Sequence, residues 1–208
     1  MNPFYQGHAP VDLIKQFGSP LYVYNEKILR EKCKDMVNLC PFSHMRINYA
    51  IKANTNLTLM RIIREEGLTA DVSSAGEIVA AIAAGFPPEE ILFIANNISA
   101  DEMLFAIENN ITLSVDSLSQ LATYGKLNPG GEIAVRFNTG IGGGHHAKVV
   151  TGGDDTKFGI LTDYIPEVKK LLREYNLTLV GINHHIGSQY AQELYIEGAN
   201  ALLAVARQ

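Results

Sequence analysis

The chain has 208 residues, of which 47% are hydrophobic and 19% are charged, and its formal net charge is −5. This composition is typical of a folded globular protein and argues against disorder. The acidic balance provides no basic surface for nucleic acid. The longest apolar run, Ile78 to Phe86, is too short to span a membrane. We therefore expect neither nucleic acid nor a membrane as a partner.

Two further features favour a cytoplasmic protein. The start, Met1 to Gln6, lacks the charged and apolar regions of a signal peptide. The two cysteines, Cys33 and Cys40, do not form a CxxC pair, and we interpret them as reduced thiols.

Residues 1–45 are predicted to form a segment that precedes the main domain. Residues 1–20 are expected to be irregular because prolines and glycines interrupt them. Leu21 to Tyr24 has the composition of a short β-strand. Asn25 can cap a helix over residues 26–38, in which apolar residues recur near helical spacing.

From residue 46 onward, a short apolar strand followed by an amphipathic helix recurs six times. The predicted strands are Arg46–Ile51, Thr69–Val72, Ile91–Ala95, Ile111–Val115, Glu132–Phe137 and Thr178–Asn183. The predicted helices are 57–66, 75–84, 100–109, 117–125, 163–175 and 192–206. Three Ser-x-x-Glu/Gln spacings, which begin at Ser74, Ser99 and Ser117, mark helix starts. Because no hairpin signal separates the strands, a parallel sheet with crossover helices is expected.

This pattern predicts an α/β fold of the parallel (β/α)8-barrel type, with its site at the carboxyl ends of the strands. Residues 46–208 provide six units, whereas a complete eight-unit barrel needs roughly 250 residues. We therefore expect the chain to be the N-terminal part of a longer protein and to be inactive by itself. An open sheet of six strands is the alternative.

Lys52 is the first candidate for chemistry, because it follows the apolar run Ile47 to Ile51. A charged amine is costly to bury there unless it is paired or chemically used. Desolvation lowers the pKa of a lysine, and the neutral amine can form a Schiff base with an aldehyde or ketone. A lysine that extends into water is the alternative. Asp71, at the end of the next strand, could orient the amine in a barrel.

Further candidates lie on a later strand and in a long loop. Arg136 stands within the apolar strand Ile133–Phe137 and needs an acid or an anion as a partner, either in a salt bridge or in a site. The glycine-rich loop that follows carries His145, His146 and Lys157. A loop of this length is usually functional or disordered, and it lacks the P-loop spacing.

The last predicted strand is followed by His184, His185, Gly187 and Ser188. Alternation sends the two histidines to opposite faces, so only one is expected to face the barrel interior. Gly187 lets a ligand approach the backbone closely, and Ser188 offers a hydroxyl and an N–H to an anion. Adjacent histidines cannot chelate one ion together, and no HxxxH or Cys/His spacing is present, so we expect no metal site.

Several motifs occur together and in order. They are YAIKANTN at 49–56, DVSSAGE at 71–77, VDS at 115–117, VRFNTG at 135–140, GHH, TG and KFGI within 144–160, and HHIGSQ at 184–189. The ordered set resembles the pyridoxal-phosphate-dependent decarboxylases with an alanine-racemase-like barrel, and the diaminopimelate decarboxylases in particular. The resemblance covers nearly the whole chain.

The resemblance implies pyridoxal 5'-phosphate as the cofactor, bound covalently by Lys52, with Asp71 close to the bond. It also implies that His185 stacks on the cofactor ring and that Gly187 and Ser188 hold the phosphate. Lys52 and His185 are thereby the catalytic candidates.

The resemblance assigns lesser roles to four other residues. Arg136 would help to orient the ring side of the site. Lys157 corresponds to a lysine that reaches across a dimer interface in relatives, which implies a homodimer with shared active sites. His145 and His146 would lie near the mouth of the site.

The activity implied by the resemblance is decarboxylation of an amino acid, from meso-diaminopimelate to L-lysine and carbon dioxide in lysine biosynthesis. A carboxynorspermidine or ornithine decarboxylase and a non-catalytic pyridoxal-phosphate-binding protein are the alternatives. The family's glycine-rich phosphate loop, the acidic partner of the ring nitrogen and the C-terminal β domain are absent from these 208 residues.

Overall fold

The structure is a computed structural model that describes residues 3–94, 96–142, 156–187 and 192–208. The strands are β1 (Asn48–Ala50), β2 (Thr69–Val72), β3 (Ile91–Ile94), β4 (Thr112–Val115), β5 (Glu132–Asn138), β6 (Ile160–Leu161) and β7 (Thr178–Asn183). The α-helices are α1 (Pro10–Phe17), α2 (Glu26–Val37), α3 (Leu57–Glu65), α4 (Ala75–Ala84), α5 (Ala100–Glu108), α6 (Leu118–Leu127), α7 (Ile165–Glu174) and α8 (Gln192–Ala206). Short 3-10 helices cover Pro3–Tyr5, Ile51–Ala53, Pro88–Glu90 and Thr162–Tyr164.

The described strands pair in parallel and mostly in chain order. β1 to β5 follow one another across the sheet, and β7 pairs with β5 on its other side. The two-residue strand β6 pairs only with the end of β5, where Phe137 lies opposite Ile160. Helices α3 to α6 connect β1 to β5 in turn, and α7 connects β6 to β7, so the predicted parallel α/β sheet with crossover helices is confirmed.

Side chains alternate between the two faces of the sheet, as the two-residue period of a strand requires. On the face that packs under the helices, the fully buried residues are Val72, Phe93, Leu113, Val115, Ile133 and Val135. Full burial of a side chain of this kind stabilises the fold by about 1.5–3 kcal/mol relative to leaving it exposed. Residues of the opposite parity, among them Asp71 and Arg136, therefore face away from this core.

The predicted helix starts are confirmed. The side chains of Ser74, Ser99 and Ser117 each accept a hydrogen bond from the backbone N–H three residues further along. Asn25 accepts such a bond from Ile28 at the start of α2. These caps fix the helix N-termini next to the carboxyl ends of β2, β3 and β4, and the positive ends of the helix dipoles lie there.

Three predictions about the chain before and around the first strand are wrong. Residues 1–20 are not irregular throughout, because Pro10 occupies the first turn of α1, where a proline costs no hydrogen bond. Leu21 to Tyr24 forms no strand, because none of the described segments pairs with it. The strand predicted to run to Ile51 ends at Ala50, since the chain turns there into a 3-10 helix.

Several other predicted bounds differ from the observed ones by one or two residues. β6 was not expected, because a two-residue strand depends on its partner rather than on a local pattern. Ala95, the predicted last residue of the third strand, lies outside the described residues.

None of the helices in the described ranges is both long and apolar enough to cross a membrane.

Candidate active site

A cavity of about 480 Å³ opens at the carboxyl ends of the strands. Its lining includes Lys52, Asp71, Arg136 and His185, which follow or end four different strands. The structure therefore brings four of the predicted site residues to one place. The volume lies within the roughly 300–1,000 Å³ that is usual for small-molecule sites.

Lys52 lies in the 3-10 helix directly after β1 and is an exposed residue at this cavity. Ile51, its neighbour, is fully buried and anchors the turn. The turn is closed by the Asn54 N–H, which donates to the Ile51 carbonyl oxygen at 3.0 Å. Lys52 is therefore not buried in the strand: the 3-10 turn places it at the surface of the cavity, as in the alternative of a lysine that extends toward water.

Asp71 lies near the end of β2, and its Oδ1 atom is buried. Within the part of the chain that the structure describes, this oxygen is the one buried side-chain polar atom without a hydrogen-bond partner. Burial raises the pKa of the Asp71 carboxyl, the Lys52 charge lowers it, and the Glu77 charge raises it again. A buried acceptor without a donor is costly, so this oxygen is suited to a donor on a bound ligand.

Arg136 lies on β5 and is only 6% exposed. Its Nη1 donates to the Asn96 side-chain oxygen at 3.3 Å, and its Cζ lies 5.2 Å from the centroid of the Phe158 ring. Burial lowers the pKa of the guanidinium, and the charge of buried Asp116 raises it. Asp116 is therefore an acid whose charge favours the charged form of Arg136, as the sequence led us to expect of a partner.

Both His184 and His185 line the cavity, so the prediction that only one faces the interior is wrong. The reason is that β7 ends at Asn183, and the alternation of a strand does not continue beyond its end. Burial lowers the pKa of both imidazoles below the usual 6.5, and the Arg136 charge lowers it further. Both rings are therefore mainly neutral at neutral pH. Gly187 is buried, with φ of 130°, in a region that favours glycine.

Of the other predicted site residues, Gly187 and Lys157 do not line this cavity, and three are not described. Ser188, His145 and His146 lie outside the described residues. Lys157 is exposed and lines a neighbouring cavity of about 630 Å³, together with Asp116. The two cavities share Asn96 and Phe158 in their linings.

Sequence reasoning assigned no role to several residues around this cavity, and Asn183 is one of them. Its side-chain N–H₂ donates to the Ser114 hydroxyl oxygen at 2.8 Å, which ties the end of β7 to β4. Asn183 also lies opposite Arg136 in the register of β5 and β7. A polar residue at the carboxyl end of an apolar strand was the available signal, and the same signal applied to Asp116 after β4.

The fold and the cavity define a class of protein: a parallel α/β barrel-type domain with a lysine, a carboxylate, a guanidinium and neutral imidazoles around one small-molecule site. Residues 26–208 match the model of a family described as the pyridoxal-binding domain of pyridoxal-dependent decarboxylases. The chain belongs to this family, and the cofactor of such a domain is pyridoxal phosphate. The membership confirms the fold class predicted from the motifs.

The chain is similar to proteins named diaminopimelate decarboxylase. One from Methanothermobacter thermautotrophicus is 40% identical over 185 residues, which cover 88% of this chain and 43% of that protein. A crystal structure of a diaminopimelate decarboxylase has a TM-score of 0.85 at 32% identity and is matched over 94% of this chain and 46% of its own. Another, from M. jannaschii in complex with L-lysine, has a TM-score of 0.81 at 28% identity, with 97% and 51% covered. This chain thus spans about half the length of these relatives.

Proposed function

We propose that this chain is the cofactor-binding part of a decarboxylase that converts meso-diaminopimelate to L-lysine and carbon dioxide. The observation that carries the proposal is the meeting of Lys52, Asp71, Arg136 and His185 around one cavity. The relatives described above support the substrate, since they are named diaminopimelate decarboxylases and one of them is in complex with L-lysine. These names favour diaminopimelate over ornithine and carboxynorspermidine.

Lys52 would bind pyridoxal phosphate covalently, because the aldehyde of the cofactor forms a Schiff base with a primary amine. The exposure of Lys52 at the cavity supports this role, because an incoming substrate amine must reach the same position. The unpartnered Oδ1 of Asp71 would accept a hydrogen bond there and hold a proton close to the amine. Bound pyridoxal phosphate supplies an electron sink for the electron pair that a departing carboxylate leaves behind.

His185 would pack on the cofactor ring, and its lowered pKa supports this role because a neutral imidazole does not repel the cations around it. Arg136 would orient the ring side of the site through its charge. Gly187 would let the cofactor phosphate approach the backbone, and Ser188, a residue outside the described ranges, would add a hydroxyl to this contact.

We also propose that the protein is cytoplasmic and forms a homodimer with shared active sites. Lys157 would reach the partner subunit, and its exposure beside the neighbouring cavity supports this role. His145 and His146 would lie near the mouth of the site. The free thiols Cys33 and Cys40 support a reducing compartment.

The cofactor proposal is tested by adding pyridoxal phosphate to the 208-residue chain, reducing with borohydride and mapping the labelled peptide. We expect saturable label at Lys52 in a one-to-one ratio. The variant Lys52→Ala should lose this label, while Lys126→Ala, which removes an exposed lysine at the end of α6, should keep it. Label spread over surface lysines with no preference for Lys52 would refute the cofactor site.

The substrate proposal is tested by competition on the same loaded chain. A substrate amine takes the place of Lys52, so less label remains on Lys52 after reduction. This readout does not depend on turnover. We expect meso-diaminopimelate to lower the label at smaller concentrations than ornithine, and a reversed order would support a polyamine-type decarboxylase instead.

A further inference from the structure

Phe158 borders both cavities at the carboxyl ends of the strands. It lines the cavity of Lys52 and also the neighbouring cavity of Asp116 and Lys157. It belongs to the KFGI motif, yet the functional roles proposed above leave it unused. A large half-buried ring in this place forms part of the wall between the two cavities.

The ring of Phe158 also contacts the Arg136 guanidinium, the buried cation of the site. The Arg136 Cζ lies 5.2 Å from the ring centroid, within the roughly 6 Å of a cation–π contact. Such contacts are stronger when the cation is desolvated, and Arg136 is 6% exposed. The side-chain oxygen of Asn96 accepts from Arg136 Nη1 at 3.3 Å. The ring and the amide together constrain the guanidinium.

Gly159 makes this contact possible. Its φ is 81°, and a Cβ atom added there would lie 2.8 Å from the backbone nitrogen of Asn138 and 2.9 Å from the carbonyl carbon of Phe137. Backbone atoms cannot yield as a flexible side chain does, so only glycine permits this close approach to β5. Because Phe137 is the next residue after Arg136, the approach brings Phe158 against Arg136.

We propose that Phe158 is a positioning residue of the Lys52 site, and that its ring holds the Arg136 guanidinium in the cavity wall and separates the two cavities. The proposal rests on the proposed function in that it takes the Lys52 cavity as the cofactor site. Phe158 acts on that site through Arg136 and has no part in bond making or breaking. Ring character is therefore required at this position, in addition to apolar volume.

The test compares Phe158→Ala, Phe158→Leu and Phe158→Tyr with the unaltered chain, without cofactor. Phenylglyoxal modifies exposed arginines, and its rate at Arg136 is followed by peptide mapping. We expect the rate to rise about tenfold in the Ala variant and about threefold in the Leu variant, which keeps volume but lacks a ring. The Tyr variant should restore the slow rate. Exposed Arg61 on α3 serves as an internal reference with a constant rate.

A matched control is Phe105→Ala, which removes a ring of similar partial burial from α5. This variant should lose stability but keep the slow rate at Arg136, so a general loosening of the fold is distinguished from a lost contact. An unchanged rate in the Ala variant, a Leu variant equal to the unaltered chain, or a failure of Tyr to restore the rate would each overturn the proposal.

The affinity for pyridoxal phosphate provides the second readout. The dissociation constant should rise in the same order, about tenfold for Ala and about threefold for Leu, with Tyr near the unaltered value. Equal affinities, with Lys52 labelled normally, would overturn the positioning role and leave the proposed function intact. Absence of Lys52 label in the unaltered chain would instead overturn the proposed function, while the Arg136 rates would still decide whether Phe158 holds Arg136.

Discussion

Asp71→Asn is expected to stabilise the cofactor-free chain while it weakens cofactor binding. The buried Oδ1 has no partner in the described structure, and an unpaired buried polar atom costs about 1–3 kcal/mol. The opposing attraction of Lys52 is worth about 0–1 kcal/mol, because Lys52 is exposed. The amide of Asn also leaves a polar atom unpaired here, so the gain comes from the lost charge: a neutral amide is cheaper to bury than a carboxylate, and this difference exceeds the attraction of Lys52. We therefore expect a gain of about 1–2 kcal/mol in the free energy of unfolding at pH 7.

The stability gained in Asp71→Asn should depend on pH in a defined direction. The folded-state pKa of Asp71 is raised above the usual 3.8, chiefly by burial. Such a group favours the folded state fully below pH 3.8, and this contribution is lost as the pH rises through the raised pKa. The advantage of Asp71→Asn should therefore be largest at pH 7 and should shrink toward pH 4.

The assay is urea unfolding followed by far-UV circular dichroism at both pH values. The control is Asp163→Asn, which neutralises an exposed carboxylate and should change stability by less than about 0.5 kcal/mol. Pyridoxal phosphate should bind Asp71→Asn at least about tenfold more weakly, an expected trade between stability and function. A less stable variant, or an equal gain at both pH values, would refute the reasoning about the unpaired oxygen.

Two other predictions concern the segment after β7. Gly198→Ala should destabilise the chain by about 1–3 kcal/mol, because its Cβ would lie 2.5 Å from Ile186 Cδ1. The control Gly76→Ala should not destabilise it, because a Cβ there would have no atom nearer than 3.8 Å. Similar unfolding midpoints for the two variants would contradict this prediction. In an NMR titration, the pKa of His185 should lie below 6.5 and should rise in Lys52→Gln, because a nearby positive charge is removed. A group with a lowered pKa of this kind makes the chain less stable as the pH falls below 6.5, and an unchanged pKa in the variant would disprove the coupling.

The repeating strands and helices could be predicted because their signals are local. The period of the apolar residues and the serine caps lie within each segment, so they need no knowledge of the rest of the chain. At Ser99 the pair is reciprocal: the Ser99 side chain accepts from the Glu102 N–H, and the Glu102 side chain accepts from the Ser99 N–H. At Ser117 the cap is present, but the Gln120 side chain accepts from the N–H of Asp116, the residue before the cap.

Elements that depend on distant partners could not be predicted. β6 exists through its pairing with Phe137 and Asn138, more than twenty residues earlier in the chain. Leu21 to Tyr24 has strand-forming side chains, but β propensity describes fit to a sheet and does not form a strand without one. Local composition was thus sufficient to predict the main strand–helix units. It was insufficient where strand formation depends on a partner strand.

The candidate site shows the same division. Lys52 and Asp71 could be identified because polar residues at the ends of apolar strands converge in a parallel sheet, and Arg136 because a charge within an apolar strand needs a partner. Their surroundings could not, since the Phe158 ring reaches Arg136 only through the approach of Gly159 to β5. The register that sets this approach joins segments distant in sequence. The sequence therefore predicts which charged residues lie at the site. It does not predict how they are oriented, because their orientation depends on side chains from distant segments that pack against them.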